Sequence, residues 1–252
     1  MDIKNNNEFK QCIYNISKDF KGLYNIKVVD NVASIFMLDE AHIKLFQLEF
    51  VCNIPDCVYS VSFVEMYNIL KPIYKDVVSL NYDGENNTLI FRTYDCREYS
   101  VSLYDEVDSL SMPEVEYPIN DYKCHVDRVR WVCECSNKVH KLKSVELGYD
   151  GKVGERICFR KLNSDMVQYY WIQDENINSE FVISIEDDKL QGIDESVSVI
   201  YDSKELLGLL PKYLKEVTFS WGEDMPLTIK GCVDFLQSRI HVTSMLAPRI
   251  EV

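Results

Sequence analysis

A chain of 252 residues with 46% apolar content is long enough for one large core or two mid-sized ones. Its formal charge of −14, taken whole, opposes binding to nucleic acid, whose phosphates attract Lys and Arg. No apolar run approaches the roughly 18 residues of a membrane span. The opening MDIKNNNEFKQ is polar rather than a secretory leader, and nine cysteines lie scattered without a CxxC pair. A soluble, reduced, intracellular chain with no membrane partner is therefore expected.

Phe9, Cys12, Ile13, Ile16 and Phe20 fall at i, i+3, i+4, i+7 and i+11, the apolar stripe of an amphipathic helix. Strand-like runs follow at 24–29, 32–38, 43–51 and 58–63, then a short helix over 64–71 that ends before Pro72. Further strands are read at 77–82, 88–92 and 99–103. The stretch LYDEVDSLSMPEVEY at 103–117 carries five carboxylates, no base and Pro113, which suits neither helix nor central strand and reads as a linker. Beyond it the pattern resumes: a strand near 122–126, a helix from about 127 to 137, and strands at 143–148, 153–160, 167–173, 181–185 and 196–201. A helix at 203–210 with Ser203 as its N-cap precedes Pro211, and strands at 216–221, 227–231 and 239–245 close the chain.

The two halves resemble each other at an offset of 139 residues. Leu70, Pro72 and Tyr74 meet Leu209, Pro211 and Tyr213, and Val78, Ser79, Leu80 and Tyr82 meet Val217, Thr218, Phe219 and Trp221. Two alike α+β domains joined by an acidic linker account for this, with domain 1 at 1–104, the linker at 105–119 and domain 2 at 120–252.

The charge is segregated. Regions 8–21, 65–75, 127–143 and 203–215 hold the bases Lys10, Lys18, Lys71, Arg128, Arg130, Lys138, Lys204 and Lys212, and together these regions carry +7, leaving −21 elsewhere. If the helices share a face, an acidic protein owns a basic surface.

Leu246-Ala247-Pro248-Arg249-Ile250-Glu251 resembles the ending of the DNA sliding clamps of the proliferating cell nuclear antigen (PCNA) family. Val217-Thr218-Phe219-Ser220 with Asp224-Met225-Pro226-Leu227 resembles the strand and turn before that ending. Leu38-Asp39, His42-Ile43, Leu45 and Gln47-Leu48 resemble its first-quarter signature, Ile69-Leu70-Lys71 its second helix, and Leu110, Met112-Pro113-Glu114 and Glu116-Tyr117 its connecting loop. The matches run in family order from about residue 33 to the end.

The resemblance implies an α+β fold of two topologically similar clamp domains, with sheets outside and helices lining a ring. It implies a homotrimer that encircles duplex DNA without reading sequence, acting in the nucleus as a processivity factor for DNA replication and repair. DNA polymerase, the clamp loader and other partners would dock through a short hydrophobic peptide. The helix bases named above would meet DNA, and Leu38, His42, Leu45, Leu110, Met112, Pro226, Met245, Ala247 and Pro248 would line the peptide pocket. Subunits would join through edge strands near 98–104 and 165–173. Ser244-Met245 stand where the family has aromatic residues, and Asn68 where it has a base.

No catalytic residue and no cofactor is expected. Asp39 with His42, or Cys124, His125, Cys133, Cys135 and His140, could suggest a metal-dependent hydrolase. However, Cys133 and Cys135 would point about 200° apart on a helix, so no metal site is expected. Motifs such as GxGxxG, GxxxxGK[ST], GxSxG and HExxH are missing. The closer rival is a subunit of a heterotrimeric checkpoint clamp.

Overall fold

The computed structural model describes residues 6–52, 54–73, 77–108, 111, 113–127, 129–130, 133, 144–150, 156–162, 167–173, 183–186, 199–211, 213–214, 216–235 and 238–248. The chain divides into two compact units, Met1–Pro113 with Cys232–Thr243, and Glu114–Gly231 with Ser244–Val252.

The first unit opens with helix α1 (Asn6–Asp19). Its stripe of Phe9, Cys12, Ile13, Ile16 and the following Phe20 is buried throughout. Four antiparallel strands come next: β1 (Leu23–Val29), β2 (Val32–Leu38), β3 (Lys44–Val51) and β4 (Cys57–Ser62). Their order is β4-β1-β2-β3, and the outer neighbour of β3 belongs to the last strand of the chain. Side chains alternate between core and surface along β2 and most of β3, while in β4 the adjacent Ser60 and Val61 are both buried. On β3 the inner row is Lys44, Phe46 and Leu48, while Leu45, Gln47 and Glu49 face outward. Lys44 can sit in that inner row because Asp19, at the end of α1, accepts from its ammonium at 2.8 Å. A buried lysine without such a partner would be strongly destabilising.

Helix α2 (Phe63–Leu70) packs beside α1 and buries Phe63, Met66 and Leu70. A second antiparallel sheet, β5-β6-β7, is built from Val77–Asp83, Thr88–Thr93 and Glu98–Ser102.

In the second unit, β8 (Ile119–His125) leads into helical Val126, Asp127, Val129, Arg130 and Cys133. Val126, Val129 and Cys133 are buried at i, i+3 and i+7, one helical face. A five-stranded antiparallel sheet of order β12-β11-β10-β9-β13 comprises β9 (Ser144–Asp150), β10 (Arg156–Leu162), β11 (Val167–Gln173), β12 (Ile183–Glu186) and β13 (Val199–Asp202). Helix α3 (Ser203–Leu209) and strands β14 (Glu216–Trp221), β15 (Leu227–Phe235) and β16 (Ser238–Leu246) complete the chain, with β15, β14 and β8 adjacent in that order.

Two expectations are corrected. The N-cap of α3 is Asp202, not Ser203: its carboxylate accepts from the backbone N–H groups of Lys204 at 2.9 Å and Glu205 at 3.1 Å. A carboxylate there also meets the positive end of the helix dipole. The stretch near 165–173 is not a free edge, because β11 pairs with β10 on one side and with β12, from Tyr169 to Ile172, on the other. The expected edge near 98–104 does fall on an outer strand, β7, among the described residues.

The repeat at offset 139 is carried by the structure as helix then strand, α2 then β5 in one unit and α3 then β14 in the other.

Candidate nucleic-acid interface and peptide groove

Burial of the apolar stripes of α1 and α2 turns their remaining side chains outward. Lys18 and Lys71 are exposed. Each sits against an aromatic ring: the Lys18 ammonium lies 4.0 Å from the centroid of Tyr14, and that of Lys71 lies 6.0 Å from Tyr67. The two rings meet at 4.9 Å between centroids. A ladder Lys18–Tyr14–Tyr67–Lys71 therefore crosses the helix pair, with each cation attracted to the negative face of its ring. Such packing restricts two flexible side chains without neutralising them.

Other bases named from the sequence have internal tasks. Lys10 is half-buried and its ammonium donates to the carbonyl of Ile73, just past the end of α2. Arg130 is half-buried too, and its Nη1 donates to the carbonyls of Leu207, at 3.4 Å, and of Leu210. Those carbonyls close the C-terminal end of α3, where a cation complements the negative end of the dipole. Lys204 is exposed on the first turn of α3. Arg128, Lys138 and Lys212 lie outside the described residues or side chains.

The pocket residues fall as follows. Leu38 and Leu45 are directly paired across β2 and β3 and are half-exposed. His42 is exposed in the turn between β2 and β3 with φ 56°, a left-handed conformation held by its N–H donating to the Asp39 carbonyl at 3.0 Å. The Asp39 carboxylate accepts from the N–H groups of Ile43 and Lys44, both at 2.8 Å, which shapes the same loop. In the second unit Pro226, Ala247 and Pro248 are half-buried and Met245 is buried. Leu110 and Met112 lie outside the described residues.

The first unit also forms a groove of about 470 Å³, whose lining includes Leu38 of the expected peptide pocket. Its floor is the outward face of the sheet, including Leu23, Lys27, Phe36 and Gln47, and its rim includes Glu106, Val107 and Asp108. Asn25 fixes the rim. Its amide nitrogen donates to the Val107 carbonyl at 2.7 Å, and its oxygen accepts from the Val107 N–H at 3.0 Å. Ser60 donates to that same oxygen at 2.7 Å. Strand alternation carries the signal for the floor, since residues 23, 25 and 27 share a side with 34, 36 and 38. The clasp at Asn25 leaves no periodic trace.

Titration follows the local partners. The Tyr104 hydroxyl donates to Glu65 at 2.8 Å, and this bond to a carboxylate raises its pKa. Tyr82, whose hydroxyl donates to that of Tyr59 at 2.7 Å, is pushed up to about 12, chiefly by that bond. Among the described residues no three His, Cys, Asp or Glu side chains converge as metal ligands.

By sequence, no family model and no curated protein matches the chain. By structure, it is similar to PCNA of Entamoeba histolytica at 14% identity and TM-score 0.72, covering 98% of this chain and 97% of that one. PCNA from Thermococcus kodakaraensis matches at 16% identity and TM-score 0.73, over 96% of each chain. A. fulgidus PCNA, solved with the C-terminal region of FEN-1 bound, matches at 18% identity and TM-score 0.75, over 98% and 97%. The chain has the α+β fold of these clamp structures, antiparallel sheets with few helices, at low sequence identity to each.

Proposed function

We propose that the chain is a DNA sliding clamp, a non-enzymatic processivity factor that encircles duplex DNA as a homotrimer and tethers replication and repair proteins. The observation that carries this reading is the clamp fold extending over 96% or more of the chain in each comparison. The ladder of Lys18 and Lys71 on tyrosine rings supports it from the chain's own residues. Such a surface meets phosphates by charge and reads no sequence, which suits a tether that must slide. The overall charge of −14 is no obstacle when bases are concentrated on helices.

The primary test is the mass in solution by light scattering, expected near three times 29.5 kDa. A chain that stays monomeric at micromolar concentration overturns the homotrimer. The triple charge reversal of Lys18, Lys71 and Lys204 to Glu is expected to keep the trimer mass and to weaken retention on closed circular DNA. Its affinity should depend less steeply on salt, with the slope falling by about 0.9 for each phosphate that is no longer neutralised. Unchanged retention would remove these lysines from the DNA surface.

A second reading has its own support. The complex of PCNA2 and PCNA3 from Sulfolobus tokodaii, similar at TM-score 0.70 and 13% identity over 96% of each chain, joins two different clamp subunits. On that reading this chain assembles only with other clamp chains, and the same light-scattering measurement separates the two.

Partner proteins would dock a peptide with an aliphatic or aromatic anchor beside Leu38 and Leu45. Apolar anchors and backbone pairing are the usual means of holding such a segment. Leu45→Ala is expected to weaken a polymerase-type tail peptide by about thirtyfold, equivalent to roughly 2 kcal/mol at an interface centre. An unchanged dissociation constant in a calorimetric titration would move the docking site away from Leu45.

A further inference from the structure

Strands β15 and β16 carry a feature that clamp function does not use. The thiol of Cys232 lies 3.4 Å from Nδ1 of His241, and both residues are exposed. One pair further along, Arg239 approaches Asp234 at 3.6 Å, so the two pairs form a cross-strand ladder. Val233, Ile240 and Val242, which alternate with these residues, are buried and hold the ladder facing outward.

We propose that Cys232 and His241 form a thiol-exchange site, whose ligand class is a low-molecular-weight disulfide and whose product is a mixed disulfide on Cys232. With its imidazole as the Nε2–H tautomer, His241 presents a lone pair on Nδ1 to the thiol. As the Cys232 sulfur attacks one sulfur of the disulfide, Nδ1 takes the thiol proton. The S–S bond breaks, and its electron pair leaves on the second sulfur. That thiolate departs as a thiol after recovering the proton from the imidazolium. Cys232 is oxidised, half of the small disulfide is reduced, and no further oxidant is needed.

The other cysteines whose side chains are described make the contrast. Cys12 and Cys133 are buried. Cys52 and Cys57 are half-buried, and burial pushes both thiols up, away from the reactive thiolate. Cys96 is exposed, as Cys232 is, and provides an internal reference within the same molecule.

The full-length chain would be incubated with oxidised glutathione, and adducts at each cysteine followed over time by peptide mass mapping. Cys232 is expected to react about tenfold faster than Cys96. This is less than the roughly 10²-fold that a positioned proton acceptor contributes in an enclosed site, because both partners here stand in water. His241→Gln, a polar substitution at an exposed strand position, should remove that lead and leave the Cys96 rate unchanged. Equal rates at Cys232 and Cys96 in the parent would overturn the site without recourse to a variant. So would a lead that persists in His241→Gln.

Discussion

The two units repeat one arrangement and secure it with different chemistry. In each, a short helix precedes a strand at the same offset, α2 before β5 and α3 before β14. In each, a base from the preceding helical segment donates at or just past the C-terminal end of the short helix: Lys10 to Ile73, and Arg130 to Leu207 and Leu210. The planar guanidinium bridges the carbonyls of Leu207 and Leu210, where the ammonium acts as a point charge at Ile73. The linker is also rooted differently at its two ends. At Val107 it is held by the side-chain amide of Asn25. At its far end Tyr117 shares a hydrogen bond with Thr228 at 2.6 Å, and Pro118 lies directly over Gly222. A repeated architecture thus conserves where a restraint is needed without conserving which side chain supplies it.

The largest expected effect strikes the packed end of the linker. A Cβ on Gly222 would lie 2.6 Å from Cδ of Pro118 and 2.9 Å from Sδ of Met225. Gly222→Ala should therefore destabilise by about 1–3 kcal/mol, as overpacked sites do, and chemical denaturation would measure it. Asn25→Ala at the polar end should cost less, about 1–2 kcal/mol, because water can replace part of the missing bonding at a half-exposed site. Equal losses at the two ends would erase the distinction between a packed root and a hydrogen-bonded one.

The helix ends come next. Arg130→Met is expected to cost about 2 kcal/mol and Lys10→Met about 1 kcal/mol, because the guanidinium bridges two carbonyls at the end of α3. At the opposite ends, Asp202→Ala should cost about 1 kcal/mol, and Ser62→Ala less. Asp202 accepts two close backbone bonds, whereas Ser62 accepts one from Glu65 at 3.3 Å. Thermal melts of the four variants would order them, and a reversed order within either pair would refute the comparison.

The smallest effect is spectroscopic. Tyr201 in the second unit is fully buried, and burial pushes its pKa up; Tyr82 in the first is raised to about 12 by Tyr59. Both folded values lie above the unfolded value of about 10, so each contribution is complete below pH 10 and is lost as the pH rises beyond it. In an alkaline absorbance titration, Tyr82→Phe should remove a phenolate that appears near pH 12 without an unfolding step. Tyr201→Phe should instead remove one that appears only with unfolding. A Tyr201 phenolate formed while the fold is intact would contradict its burial.

Much of the fold is legible in the sequence because its signals are local. The α1 stripe, the strand alternation and the stop at Pro72 follow from spacing and from backbone sterics, and the structure reproduces them to within a residue or two at most described boundaries. The N-cap of α3 shifts by one position because Asp202 and Ser203 are both good caps, and only the path of the chain out of β13 chooses between them. The expected edge near 165–173 is covered because pairing between β11 and β12 joins segments separated by an intervening stretch with no periodic link to either.

The candidate site divides along the same line. Lys10, Lys18, Lys71, Arg130 and Lys204 all read as bases on helices, and sequence alone does not separate them. Tertiary packing turns Lys10 and Arg130 toward helix-end carbonyls and leaves Lys18, Lys71 and Lys204 exposed.

By itself the sequence determined the order and type of most described elements, the run of carboxylates at 103–117, the internal repeat and the clustering of bases in four regions. These depend on side-chain periodicity and on charge counted along the chain, both of which survive without a fold. Only the tertiary structure decided that Lys44 is buried against Asp19, that Asn25 clasps Val107, and that Cys232 stands beside His241. Each of these joins residues that no local period connects: the first two need helix and linker packed on the sheet, and the third needs a strand register that is fixed only when the sheet assembles and buries one face.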